Sequence, residues 1–296
     1  MENIQAETIV AGRDWRFARR RKGVTNWRSI FAWSVAGIVL GTLLLAWVFR
    51  GEISSYNAST VYADRSMLPM GSAGSPLGTD VLGRDLTARI LAGIPISLLF
   101  GVVPAAAGMI VGMAIGLVAG VKGGVVDKII MAVMDVLLAF PFILVAILAV
   151  TVLGPSLRNA MIAVTLAVLP KNARIIRAEV LSLRERDFIL AARLAGAGDF
   201  HVLSRHLFPN VAAIGLIVGS VDIGYMISST AGLSFLGLGV QPPQVDWGTL
   251  ISDGVQYVTT APQLALIPSL LVAIVSLSFV LIGDDLRHRL GGAGSH

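Results

Sequence analysis

Two long stretches without a single charged residue set the frame for this chain. Residues 30–49 and residues 94–121 carry no Asp, Glu, Lys or Arg. A helix of about 20 residues, rising about 1.5 Å per residue, crosses the ~30 Å hydrocarbon layer of a bilayer. Composition agrees: 55% of residues are hydrophobic and 14% charged, against about 25% charged in a soluble domain. The expected fold class is an all-α polytopic membrane protein. Several function classes drop out. Cysteine is absent, which removes disulfides, thiolate metal sites and a Cys nucleophile. No GxxxxGK[ST] pattern occurs, so the chain has no P-loop for ATP. Its 4 histidines show no metal-ligand spacing.

The spans are expected as follows. Residues 1–29 are polar and basic (Arg13, Arg16, Arg19, Arg20, Arg21, Lys22, Arg28), with Trp15 and Trp27 suited to the headgroup region. Such a segment is expected on the cytoplasmic side, against anionic lipid. Residues 30–50 form the first span, uncleaved, because a signal peptide has a shorter apolar core and a small-residue cleavage site. Residues 51–93 form a polar extracytoplasmic linker, and 94–283 a five-helix core. Within it, 94–121 is rich in small residues that let helices approach closely. Residues 129–169 are too long for one span, and Gly154-Pro155-Ser156 should break them into a hairpin. The second helix of that hairpin is apolar only over 160–169. Lys171, Arg174 and Arg177 follow, and are expected to snorkel to the cytoplasmic face. Residues 207–239 make a fifth span, interrupted by Asp222. Residues 240–262 make an outer loop, 263–283 a sixth span, and 284–296 a polar tail.

Orientation follows from the 23 Lys and Arg residues. With the N-terminus inside, only Arg50, Arg65, Arg84, Arg89 and Arg158 fall outside. The positive-inside rule then places both termini in the cytoplasm, which six spans satisfy.

Residues 187–210 form a polar, basic island between spans. Asp187 can cap a helix from Phe188. Phe188, Ala191, Ala192 and Ala195 then share one face. Gly196 and Gly198 stop that helix. Asp199 can cap a second helix from Phe200, ending near Pro209. Periodicity alone fits a partner's groove and the lipid headgroup layer equally.

The same stretch resembles the EAA loop of ABC-importer permeases, E-A-A-x3-G-x9-I-x-L-P. Ala191, Ala192, Gly196 and Pro209 match at the right spacing. Leu190 replaces the family's Glu, so no ionic contact is carried over from it, and His206 and Phe208 replace its Ile and Leu. Other segments agree. Pro76-Leu77-Gly78-Thr79-Asp80 with Gly83-Arg84-Asp85 resembles a PLGTDxxGRD signature. Asp127, Asp135 and Ala139-Phe140-Pro141 resemble a D-x7-D-x3-AFP segment. Phe235 to Pro243 with Asp246-Trp247-Gly248 resembles FLGLGxQPPxxxWG, and Gly283-Asp284-x-Leu286-Arg287 closes the match. Thr230-Ala231-Gly232 departs from the family's E-A-S-like segment. Over residues 30–290 the chain resembles the C-type permease subunit of the dipeptide, oligopeptide and nickel ABC importers.

The resemblance implies a type I ABC-importer permease fold with six transmembrane helices and a cytoplasmic coupling loop. It implies a second homologous permease, two ABC ATPase subunits that hold the ATP and Mg, and an extracytoplasmic solute-binding protein. The chain itself would need no cofactor, catalyse no reaction and bind no nucleic acid. Asp187, Phe188, Ala191, Ala192, Gly196 and Pro209 are the expected ATPase-coupling residues. Asp135 and Asp222, as carboxylates inside spans, are candidates for a pathway-lining group that meets a substrate amine, or for a carboxylate near the interface that is paired or hydrogen-bonded. Trp247, beside Pro242-Pro243, is a candidate for gating, for contact with the binding protein, or for an interfacial anchor. Two alternatives stay open: import of nickel or another small solute, and a secondary transporter using Asp135 and Asp222 as proton carriers.

Overall fold

A computed structural model describes residues 25–291. The basic segment 1–24 and the last five residues of the tail lie outside the described residues, and with them the lipid contact expected of the N-terminus. Helices dominate the described residues. Helix α1 (Thr25–Val48) leads through the short α2 (Arg50–Ile53) to an irregular segment, residues 54–85. Next come α3 (Leu86–Lys122), α4 (Gly124–Leu138), α5 (Phe142–Leu153) and α6 (Leu157–Arg184). Two short helices, α7 (Asp187–Leu194) and α8 (Asp199–Val202), precede α9 (Phe208–Phe235). Helices α10 (Trp247–Val255) and α11 (Gln263–Gly291) close the chain.

Helix α3 is the axis of the packing, and its sequence explains why. Gly108, Gly112, Gly116 and Gly120 recur every four residues and so share one helix face. A Cβ at each would stand 2.4 Å from Val168, 2.8 Å from Asn172, 2.5 Å from the Ala173 carbonyl oxygen and 2.7 Å from Val180, respectively. All four neighbours lie on α6, so the two backbones meet along a glycine seam. Lipid offers no hydrophobic drive between helices, and close packing of small residues supplies the attraction instead. Gly116 is the most constrained, because its neighbour is backbone. Gly116→Val should lower the yield of folded protein sharply, with a loss of about 1–3 kcal/mol for overpacking; size-exclusion profiles and thermal melts in detergent would show it.

Four helices, α1, α3, α9 (with α8 before it) and α11, are long and apolar enough to cross a bilayer. The sequence reading differs from the structure between residues 129 and 184. The expected helix ahead of Gly154 is two helices, α4 and α5, bent by 90°. The bend falls at Ala139-Phe140-Pro141, where proline removes a backbone donor and disfavours helical geometry in the residue before it. Counting the bent pair as one span gives up to five. Helix α6 is 28 residues long but too polar to qualify by composition. Its charges do not simply snorkel: they pair with carboxylates of neighbouring helices.

The segment 54–85 is also more ordered than a linker. It ends at residue 85, eight residues earlier than expected, where Asp85 caps α3 by accepting from the Ala88 N–H at 2.7 Å. Gly83 has φ +72°, and a Cβ there would stand 1.8 Å from the Tyr62 carbonyl oxygen, so only glycine fits. At the opposite end, Trp33 Nε1 donates to Asp285 at 2.7 Å, Ser29 bonds the same carboxylate, and Arg289 pairs with it at 2.6 Å. The Ser29 and Trp33 bonds fasten α1 to α11, and the Arg289 pair lies within α11.

Candidate functional site

The candidate site is the segment after α6. Helix α6 ends at Arg184, whose guanidinium donates to the Gly120 carbonyl at 2.6 Å. That satisfies a carbonyl at the C-terminus of α3, where a cation is favoured. Helix α7 then begins at Asp187. Arg186 occupies the cap position, without a side-chain cap bond. Asp187 is therefore not the cap but a first-turn residue, one place further along, where its charge favours the helix N-terminus.

Gly196 stops α7. Its φ is +86°, its N–H reaches the Arg193 carbonyl, and the Ala197 N–H reaches the Ala192 carbonyl, both at 3.0 Å. This pair of bonds is a Schellman motif, and it requires the left-handed residue that glycine supplies. The second helix does not end near Pro209. Helix α8 passes through a π-turn at Leu203–Leu207 into α9, with Pro209 in the first turn of α9. Phe208 N–H bonds the Leu203 carbonyl, five residues back. A wider turn absorbs the donor that proline lacks. Asp199 likewise begins α8, with Gly198 at the cap.

Ile189, Val202 and Leu207 are buried against Ile176, Val180 and Leu183 of α6, Met109 of α3 and Val211 of α9. They anchor the segment. On its outside, Phe188 and Leu190 are about half exposed, while Leu194 is 91% and Phe200 81% exposed. Ala191 and Gly196 are exposed, Ala192 partly buried, and Pro209 exposed. The ring of Phe188 lies 6.0 Å from that of His206, which lies 5.9 Å from that of His201. The small-residue stripe drew attention away from Leu194 and Phe200. The one available signal was the Leu190/Leu194 pair at i, i+4, which points off the Ala191/Ala195 face.

The two membrane carboxylates lie elsewhere. Asp222, in α9, is fully buried and accepts from Lys171 Nζ at 2.6 Å. Asp135, in α4, pairs with Arg174, and Asp127 with Arg177. Three bases along α6 thus join it to α4 and α9. Trp247 is wholly buried. Its N–H donates to Ser97 Oγ at 3.0 Å and its indole N–H to the Ile90 carbonyl at 3.2 Å. It packs against Gly93, where a Cβ would stand 3.2 Å from the ring. It fixes α10 to α3. Asp246 caps α10 in a capping box with Thr249. Burial pushes its carboxyl above the ordinary value, against hydrogen bonds from the Thr249 and Gly248 backbone.

Sequence reasoning also passed over a buried network around Asp80. Asp80 accepts from Arg84 Nε and Arg89 Nη1, both at 2.7 Å, and from the Leu82 and Arg84 N–H groups. Arg89 reaches on to Asp253 at 3.0 Å. The network ties the segment 54–85 to α3 and α10.

The family described as binding-protein-dependent transport system inner membrane component matches residues 112–291. A glutathione transport system permease protein of Pectobacterium atrosepticum is 39% identical over 87% of this chain and 86% of its own length. A dipeptide transport system permease protein of Alkalihalophilus pseudofirmus is 37% identical over 90% of each. Among solved structures, the MetNI methionine ABC transporter in an inward-facing conformation shares the fold, with TM-score 0.55 and 20% identity over 68% of this chain and 96% of that one. Its helices, its membrane composition and these matches agree: the chain belongs to the family of inner membrane components of binding-protein-dependent transport systems.

Proposed function

We propose that this chain is the permease half of an ATP-driven peptide importer, and that residues 187–210 couple it to the ATPases. It forms a pathway and catalyses no reaction itself. The observation that carries the coupling is the two-sided build of the segment: Ile189, Val202 and Leu207 buried, with Leu194 and Phe200 left bare. Large apolar side chains on a short rigid helix suit a partner's groove. Asp187, Phe188, Ala191, Ala192, Gly196 and Pro209 keep the roles the resemblance implies, with Leu190, Leu194 and Phe200 added as contacts. ATP-driven closure of two ATPases would move these helices, biasing the permease pair between outward-open and inward-open states. A second permease would complete the pathway and a binding protein would deliver the solute.

Peptide-type solutes are the reading supported by the names of relatives, which include glutathione and dipeptide systems. Six spans with both termini in the cytoplasm also fit. The bent pair α4 and α5 counts as one span. Helix α6 counts as another, its polarity offset by its ion pairs. Those pairs weigh against Asp135 and Asp222 as free proton carriers. Purification of the tagged chain in mild detergent, followed by mass spectrometry, tests the assembly. A second permease and P-loop ATPases should accompany it; recovery of the chain alone, where other membrane complexes stay intact, would contradict the proposal.

A further inference from the structure

Helices α6 and α9 are each 28 residues long, and Lys171 and Asp222 stand at their middles. At about 1.5 Å per residue, each lies roughly 20 Å from either helix end, so a span centred on either helix would hold it within the ~30 Å hydrocarbon layer. Asp222 is fully buried, and its Oδ2 has no partner among the described residues. The Lys171 side chain keeps 47% exposure. A lysine at such depth reaches the membrane surface only by extending toward it. Here the ammonium is held on Asp222 at 2.6 Å and does not extend. Arg174, one turn on, is 52% exposed and bound to an equally exposed Asp135. Charges in this position face water or protein, because lipid contact is too costly. The open side of α6 around Lys171 therefore borders an aqueous route or another chain.

An ammonium has three donors. Asp222 takes one, and the other two have no partner among the described residues. We propose that Lys171 borders the aqueous route and binds the carboxylate of the passing solute, with Asp222 as its positioning residue. The inference rests on the peptide-importer reading, since a peptide carries a terminal carboxylate. Charge-assisted hydrogen bonds would orient that end of the solute. The Asp222 counter-charge keeps the site close to neutral, so a carboxylate is held weakly enough to leave.

The test uses the complete transporter, with its partner subunits, in vesicles. The chain has no cysteine, so the double variant K171C/D222N gives this chain a single thiol, read on its own band, without leaving a buried carboxylate unpaired. That thiol should react with a membrane-impermeant methanethiosulfonate. Reaction only with a lipid-soluble maleimide, or with neither reagent, would overturn the proposal. The second readout is uptake of a tripeptide against its C-terminal amide, each supplied on the binding protein. The unsubstituted complex and K171R should favour the free acid by about tenfold, the scale of one charge-assisted contact of ~1.4 kcal/mol. K171Q/D222N should transport the two alike. Equal uptake by the unsubstituted complex, or an unchanged preference in K171Q/D222N, would overturn the carboxylate contact. Failure of all peptide uptake would count against the peptide reading, and the thiol labelling would still decide whether position 171 borders water.

Discussion

Leu194→Arg should leave the permease folded and inserted while abolishing ATP-driven uptake. Leu194 is 91% exposed, and substitutions at such positions change stability by about 0.5 kcal/mol or less. Its contribution lies in the contact it would make. Loss of an apolar anchor at an interface costs about 2 kcal/mol or more, or roughly 30-fold in affinity. A buried cation in the partner's groove would add to that cost. Phe200→Asp, at the second bare apolar position, should act alike, and Ala192→Arg should uncouple hydrolysis from transport. Ile189→Arg is the contrast. Ile189 is fully buried beneath the same helix, so that variant should lose folded protein itself. The check is ATPase binding and uptake measured beside yield and thermal stability. Equal loss of folded protein in Leu194→Arg and Ile189→Arg would remove the distinction between anchor and contact.

Arg89→Met should be the most damaging single change in the Asp80 network. Arg89 is 6% exposed and bridges Asp80 to Asp253. Removing one partner of a buried ion pair costs about 3–5 kcal/mol, because the other charge is stranded. The lower end applies, since Asp80 keeps Arg84 and two backbone donors. Asp253→Ala should cost about 1 kcal/mol or less, its side chain being half exposed. Thermal unfolding in detergent separates the two, and an equal shift would show that Asp80 is not the stranded charge.

The spans were legible where physics is local. Residues 30–49 and 94–121 must be helices in lipid whatever their neighbours, and both are. The glycine seam of α3 was foreshadowed by its small residues. Helix α6 was hard to read because its partners are distant in sequence. Nothing near Lys171 announces Asp222, and nothing near Arg177 announces Asp127. The same distance hid Trp247, whose place is set by Gly93, Ser97 and Ile90, about 150 residues earlier. In the coupling segment the stop at Gly196 was readable from local turn chemistry. The run of α8 through the π-turn into α9 was not, because proline at Pro209 reads equally as a terminus and as a first-turn residue.

The most direct measurement is solute uptake into vesicles holding the permease pair, its ATPases and a loaded binding protein. Accumulation of a labelled peptide should require ATP hydrolysis and survive collapse of the proton gradient. Uptake that follows the proton gradient and ignores ATP would contradict the account, and would return Asp135 and Asp222 to consideration as proton carriers.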